Sequence, residues 1–385
     1  MEGVRGLNVK SFDEQFAEIE TELSQTTQYH PLQQLSEYYN NRPIVLYGCG
    51  FFCRLILSVC AKCNVIVSAI CDSTKKGAFE DSGYPIITLE ELRDKYPTAV
   101  VLISVSTNTF SAEIIEQLKG LGFDDKYIVP FSRRYTYSNI ANPRQFVQTH
   151  LAGYRWAYDF FEDEISKKIV INRVKEYLLC AGLDKAHSGD EYFENGIIAL
   201  DEDEVFVDGG CFDGGTALAF INNAQGRYKH IYSFEPDIAV LNKAENNLKN
   251  HESVDLIAKG LWSESTELKF LSDGGKNGSS RIGDGGAIFV PVVSLDSFFS
   301  DKTDDVLPTF IKLDIEGAEK EALIGAESVI RKRHPKLAIC AYHKPEDIYE
   351  LPRLIYQLNP NYRFSLRQYE DGLIDTVLYA VQEDK

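Results

Sequence analysis

The sequence predicts an α/β chain made of two Rossmann-like, doubly wound units, the second closing on an antiparallel hairpin. Short apolar runs alternate with helical stretches twice along the chain, once from Pro43 and again from Val205. That alternation implies parallel sheets with helices on their faces. In each half the first apolar run leads straight into glycines, Gly48-Cys49-Gly50 and Gly209-Gly210, and the last two runs are joined by a turn containing Asp371-Gly372. Glycine at a strand end lets the backbone turn sharply and approach a ligand, and Asp-Gly between apolar runs is a hairpin signal.

Four regions follow in order. Residues 1–40 read as a charged helical segment with Phe12, Phe16, Ile19 and Leu23 at helical spacing. Residues 41–131 form the first unit. Its strands are Pro43 to Tyr47, Val65 to Cys71 and Ala99 to Val105, with helices at Phe51 to Lys62, Leu89 to Tyr96 and Ser111 to Leu121. Thr88 with Glu91 three residues on is a capping-box pattern. Residues 132–195 read as a helical linker, with Phe161, Ile165 and Ile169 spaced by four and Val174, Tyr177 and Leu178 continuing the pattern. Residues 196–385 form the second unit. Its expected strands are Val205 to Asp208, His230 to Phe234, Val254 to Ala258, Thr309 to Asp314, Lys336 to Tyr342, Tyr362 to Arg367 and Thr376 to Val381. Helices are expected at Thr216 to Asn222, Ile238 to Asn250, Ala318 to Lys332 and Pro345 to Leu358. A doubly wound sheet ending in a hairpin suits a class I methyltransferase better than a dinucleotide dehydrogenase.

With 385 residues the chain is long enough for about two or three domains at roughly 100–200 residues each. Forty basic against 58 acidic residues give a net charge of −18, which argues against nucleic acid or anionic lipid as partner. The basic cluster from Arg331 to Lys336 reads as a helix C-terminus complementing the helix dipole. No apolar stretch approaches about 18 residues, and Met1 to Lys10 has no apolar core of a signal peptide. No membrane insertion and a cytoplasmic location are therefore expected. Eight cysteines without an export signal fit a reducing compartment. Cys49, Cys53, Cys60, Cys63 and Cys71 lack a repeated C-x2-C spacing and a nearby histidine, so they read as small buried hydrophobes and no metal site is expected of them.

The chemistry concentrates at strand ends. Val205 to Gly214 places Asp208 at the end of a buried strand, then Gly209, Gly210 and Gly214. The spacing D-x-G-x-x-x-G differs from G-x-G-x-x-G. It suits S-adenosyl-L-methionine, whose carboxylate a helix N-terminus attracts. Ser233-Phe234-Glu235-Pro236 puts Glu235 at the end of strand two, where an acid can accept both ribose hydroxyls. Lys312-Leu313-Asp314-Ile315-Glu316-Gly317-Ala318-Glu319 puts Asp314 at a third strand end and Glu316 and Glu319 at the next helix start. Tyr342-His343-Lys344-Pro345 brings His343 to the same edge, where a neutral imidazole would take a hydroxyl proton near pH 7.

These segments, with Val292 to Asp296 and Tyr342 to Pro352, resemble the FkbM-type methyltransferases over roughly residues 190–385. Relatives more often have a small residue where Cys211 stands. The resemblance implies methyl transfer from S-adenosyl-L-methionine, usually to a hydroxyl, often on a sugar or polyketide. The first unit is similar to the small Rossmann-like domains in front of sugar-modifying transferases of the PglD type, with Gly83 to Leu92 supporting the likeness. Gly48, Gly50 and Asp72 would then line a nucleotide or sugar, although the unit would serve equally as a scaffold. Its G-x-G-x-x-C has Cys53 where a dinucleotide fingerprint has a third glycine, so NAD is not expected.

The combined reading is an S-adenosyl-L-methionine-dependent O-methyltransferase acting on a hydroxyl of a sugar, glycan or nucleotide-linked sugar. Asp208, Gly209, Gly210, Gly214, Glu235, Asp314 and Glu316 would hold the cofactor. His343 is the expected base, with Asp314 orienting it. Mg2+ is conceivable on Asp314, Glu316 and His343, but no pattern in the sequence demands it. The rivals are N- or C-methylation of another small molecule and a non-catalytic nucleotide-sugar-binding protein.

Overall fold

The computed structural model describes residues 12–24, 41–62, 65–79, 83–105, 108–130, 143–179, 189–272, 281–283, 288–369 and 375–382. Cys63, the turn at Asp371-Gly372 and most of the 1–40 segment lie outside them. The chain divides into two compact units. One comprises Met1–Tyr154, Lys167–Lys185 and Glu370–Ile374, the other Arg155–Ser166, Ala186–Tyr369 and Asp375–Lys385. The 132–195 stretch contains two helices, Pro143–Phe160 and Glu164–Leu179, whose residues are shared between the units. No described helix is long and apolar enough to cross a membrane.

The first unit has six strands: β1 (Ile44–Tyr47), β2 (Val67–Cys71), β3 (Gly77–Phe79), β4 (Tyr84–Ile87), β5 (Val100–Ile103) and β6 (Ile128–Pro130). Their order is β3-β4-β2-β1-β5-β6, and every pairing is parallel except β3 with β4. Strand alternation sorts the apolar run of β1 into two cores. Ile44 and Leu46 pack with Cys53, Ile56 and Cys60 of the helix Phe51–Lys62. Val45 and Tyr47 pack with Leu92, Ile114 and Leu118 on the other face. Both faces are covered, so the strand reads as continuously apolar rather than alternating. Cys49, Cys53, Cys60 and Cys71 are buried and form no disulfide. Thr88 caps the helix Leu89–Lys95 through the expected capping box, its Oγ1 accepting from the Glu91 N–H. The short pair β3–β4 was not expected, because three- and four-residue strands with exposed positions leave no clear periodic signal.

The second unit is built on β7 (Val205–Gly209), β8 (His230–Phe234) and β9 (Val254–Ile257). A small sheet follows, β10 (Gly260–Leu261), β11 (Thr266–Leu271), β12 (Arg281–Ile282) and β13 (Ile288–Val293). The main sheet resumes with β14 (Phe310–Leu313), β15 (Lys336–Cys340), β16 (Tyr362–Gln368) and β17 (Thr376–Gln382). The main order is β16-β17-β15-β14-β7-β8-β9. Only β17 runs against its neighbours, pairing antiparallel with both β15 and β16. The chain therefore winds outward from β7 in both directions. The crevice beyond the C-terminal ends of β7, β8 and β14 is the topological switch point, where sheets of this kind bind ligands. Under the sheet, Phe206 stacks on Phe220 at 4.4 Å between ring centroids and meets Phe310 at 5.0 Å.

Two features differ from the sequence reading. The small sheet, ordered β10-β13-β11-β12, has its own core of Phe270, Val290 and Val292, and was not foreseen. The helix expected over Ala318 to Lys332 is two, Glu319–Ile324 and Glu327–Arg333, meeting at Gly325. A Cβ on Gly325 would lie 2.1 Å from the Trp262 carbonyl oxygen, so backbone from another element occupies the flank where a side chain would stand. Asp296 then accepts the N–H groups of Ser328 and Val329, both at 2.9 Å, satisfying donors that a helix start leaves open. Arg331, Lys332 and Arg333 fill the last turn of the second helix, where positive charge complements the dipole.

Candidate active site

The loops after β7, β8 and β14 enclose a cleft of about 340 Å3 in the second unit. Gly210 and Phe212 contribute one wall, Glu235 another, and Asp314 and Glu316 a third, with Tyr342 beside them. Leu261, Phe270 and Ile282 of the small sheet close an apolar side.

The glycines are dictated by backbone crowding. Gly210 has φ +74°, and a Cβ there would stand 1.9 Å from the Asp314 carbonyl oxygen. The first loop is thus pressed against the third. A Cβ on Gly209 would meet Leu313 at 2.7 Å, and one on Gly214, at φ +85°, would meet Leu248 at 2.9 Å. Gly214 caps the helix Gly215–Asn223 in the left-handed conformation, which glycine adopts without penalty. Of these glycines Gly210 borders the cleft, whereas Gly209 and Gly214 act through packing.

Asp208 does not border the cleft. It is fully buried and forms an ion pair of 3.1 Å with Lys312 Nζ, itself only 1% exposed. Lys312 also donates to the carbonyls of Gly209 at 3.2 Å and Gly210 at 2.9 Å. Burial opposes the lysine's charge, but Asp208 and Asp314 outweigh it and hold Lys312 above the ordinary lysine range. All three ammonium protons therefore have acceptors, and two of those acceptors are in the glycine loop. Local sequence assigns Lys312 no role. Its signal was a lone charge inside the apolar run of β14.

Glu235 borders the cleft and is buried. Its Oε1 accepts the Asp237 N–H at 2.8 Å. Burial pushes its carboxyl up to about 7, opposed by the backbone N–H groups of Asp237 and Phe212. Asp314 accepts from Tyr192 Oη at 2.9 Å and from Tyr342 Oη at 3.4 Å. Burial works to raise the Asp314 carboxyl, but Lys312 and His343 hold it below the usual range. Tyr192 falls in the 132–195 stretch, and nothing in its local sequence connects it with Asp314 122 residues on.

His343 sits behind Asp314, 8% exposed, among carboxylates: Glu319 Oε1 is 2.9 Å from Nδ1, Asp314 Oδ1 is 3.5 Å and Glu316 Oε2 3.8 Å from Nε2. Burial pulls its pKa down, but Glu319, Asp314 and Glu316 prevail and push it up to about 10. The expectation of a neutral imidazole poised as base does not fit these surroundings. The ring carries its proton at neutral pH because it is encircled by negative charge.

In the first unit, Gly48 has φ +100° and a Cβ there would meet Val105 at 2.8 Å, while Gly50 has open space around it. Asp72 lies beside the loop, but its oxygens already have donors. Oδ2 accepts from the Cys49 N–H and thiol, and Oδ1 from the Thr74 N–H and hydroxyl and the Lys75 N–H. These bonds outweigh burial and hold its carboxyl well below the usual range. The geometry is that of a turn lock. Asp72→Ala should lower the stability of the full chain by about 1–3 kcal/mol, because several backbone and side-chain donors lose their acceptor. Urea denaturation checks this, and an unchanged midpoint would deny Asp72 the structural role.

A seven-stranded sheet with one reversed strand, wound outward from a glycine loop with acids at successive strand ends, defines the class I methyltransferase fold. Residues 208–366 match the family model of the methyltransferase FkbM domain, which supports reading the chain as a methyltransferase. Its fold is similar to the crystal structure of methyltransferase FkbM from Methylobacillus flagellatus KT, with a TM-score of 0.71 and 20% identity over 96% of this chain and 99% of that one. A more distant likeness is to Aeropyrum pernix fibrillarin with natively bound S-adenosyl-L-methionine, with a TM-score of 0.32 and 11% identity over 48% of this chain and 70% of that one. A search of curated proteins finds no significant match.

Proposed function

We propose that the second unit transfers a methyl group from S-adenosyl-L-methionine to a hydroxyl of a sugar or glycan. The observation that carries this reading is the convergence of Gly210, Glu235 and Asp314 on one cleft. The cofactor fits the residues present. Gly210 offers close backbone approach, and Glu235 is a buried carboxylate suited to a ribose diol. When bound, the cofactor supplies an electrophilic methyl.

The described residues lining the cleft include three acids, Glu235, Asp314 and Glu316, and no lysine or arginine. Carboxylates accept hydrogen bonds from vicinal hydroxyls, which suits a polyol acceptor. Asp314, at the cleft wall, is assigned to accept the hydroxyl proton. A low pKa does not disqualify it, because the alkylated oxygen becomes strongly acidic as the new bond forms. Tyr192 and Tyr342 hold its carboxylate in place, and alignment of hydroxyl and methyl supplies much of the remaining rate.

The test is incubation of the full chain with methyl-labelled S-adenosyl-L-methionine and a panel of neutral saccharides, followed by treatment of the products with mild base. A base-stable methyl ether is expected. Label on an amine, a carbon or a base-labile ester, or no turnover at all, overturns the hydroxyl assignment.

Glu235 provides a second, independent check. Glu235→Ala should weaken S-adenosylhomocysteine binding by more than about 1 kcal/mol in calorimetry, since charge-assisted bonds to the ribose are lost. In the wild type a ribose diol favours the charged carboxylate, so binding lowers the Glu235 pKa from about 7. Affinity should therefore level off above pH 7 and fall below it, by at most about tenfold per pH unit. Asp237 and Lys312 face the group, and the same titration in Glu235→Gln should lose this slope. Affinity independent of pH from 5 to 8 would remove Glu235 from the ribose position.

A further inference from the structure

We propose that Asp314, Glu316 and Nε2 of His343 form a binding site for one divalent transition-metal ion, with Glu319 orienting the imidazole from behind. Asp314, Glu319 and His343 each bring a ligand atom within 4.8 Å of the others. The ring nitrogens, however, face different acids. Nδ1 faces Glu319, whereas Nε2 faces Asp314 and Glu316. One ion takes one ring nitrogen and displaces the proton there, so the two sides have different roles.

Glu319 is already engaged. Its Oε1 accepts the Ile315 N–H at 2.9 Å and lies 3.4 Å from the Gly317 N–H. It pins the loop and stands at Nδ1, the arrangement in which a carboxylate fixes the ring of a metal-bound histidine. Asp314 and Glu316 border the cleft, so an ion there keeps its remaining positions open to an acceptor.

Independent support comes from polar atoms without partners. His343 is more than nine-tenths buried, yet its Nε2 has no hydrogen-bond partner among the described residues, and neither has Oε2 of Glu319. Buried polar atoms without partners are rare and call for an explanation such as an ion. Ligand atoms about 2.1 Å from a metal stand roughly 3 Å apart when adjacent. The 3.5 and 3.8 Å separations from Nε2 therefore need to close by less than 1 Å. One imidazole with carboxylate oxygens suits ions between hard Mg2+ and the thiolate-seeking metals, with Mn2+ as a fitting probe.

The purpose of the ion rests on the methyl-transfer reading, since a bound hydroxyl would lose its proton more readily. Its binding does not. The full-length protein, stripped with chelator, is titrated with MnCl2 while free Mn2+ is followed by electron paramagnetic resonance. One saturable site per chain is expected. Asp314→Asn and His343→Gln should weaken it at least a hundredfold, and Glu319→Gln, acting through the ring, about tenfold. Thermal melting and far-ultraviolet circular dichroism report whether each variant is folded, and His343→Asn is the substitute if His343→Gln is not. No saturable Mn2+ binding by the wild type, or binding unchanged in folded His343 and Asp314 variants, overturns the proposal. Mn2+ binding with no S-adenosylhomocysteine binding would leave the site standing and remove the cofactor reading instead.

Discussion

Lys312→Met should destabilise the protein by about 3–5 kcal/mol, the usual result of stranding one partner of a buried ion pair. Asp208 would remain fully buried with its counter-charge gone, and the carbonyls of Gly209 and Gly210 would lose their shared donor. The loss should be smaller when the charge is removed from both sides. The double variant Asp208→Asn with Lys312→Met is expected to recover a large part of the stability, because an amide costs far less to bury than a carboxylate. Urea unfolding of wild type, both single variants and the double variant gives the coupling directly. A Lys312→Met midpoint matching the wild type would mean that the pair carries no stability. S-adenosylhomocysteine binding should stay weakened even in the double variant, since nothing then ties the glycine loop to β14.

Gly210→Ala should reduce both cofactor affinity and methyl transfer by more than about a hundredfold. Forcing a methyl into a filled space costs about 1–3 kcal/mol, and alanine at positive φ adds roughly 1 kcal/mol. Here the obstacle is backbone, the carbonyl of Asp314 at 1.9 Å, and it has no rotamer by which to move away. Relief requires separating the loops that carry Gly210 and Asp314, which breaks the geometry on which transfer depends. Gly50→Ala in the first unit is the contrast, since a Cβ there meets nothing within 4 Å. Its effect on stability should stay within about 0.5 kcal/mol. Equal effects of the two substitutions, in melting and in calorimetry with S-adenosylhomocysteine, would show that loop contact is not what Gly210 serves.

The residues that border the cleft show how far local sequence reaches. Gly210, Glu235, Asp314 and Glu316 were legible because each follows an apolar run, and strands of a doubly wound sheet end on one edge. Strand ends are a local property, so their meeting at a common edge follows from topology alone. Lys312, Tyr192 and the small sheet's apolar wall were not legible as parts of a site. Tyr192 reaches Asp314 across 122 residues of sequence, and Phe270 and Ile282 meet only through the pairing of β11 with β12.

The division of labour between sequence and tertiary structure is clearest in the three acids and the histidine at the third and fourth strand ends. Alternating strands and helices, glycines at turns and acids at strand ends are written locally, and they determined the fold class and the position of the cleft. Which acid borders the cleft and which is buried beneath it depends on distances between segments far apart in the chain. Asp208 and Asp314 both end apolar strands, yet one is fully buried against Lys312 and the other borders the cleft. His343 reads as a neutral base in sequence, and only the packed structure surrounds it with Glu319, Asp314 and Glu316 and so keeps it charged. Electrostatic environment is a sum over neighbours in space, and those neighbours are supplied by the tertiary fold.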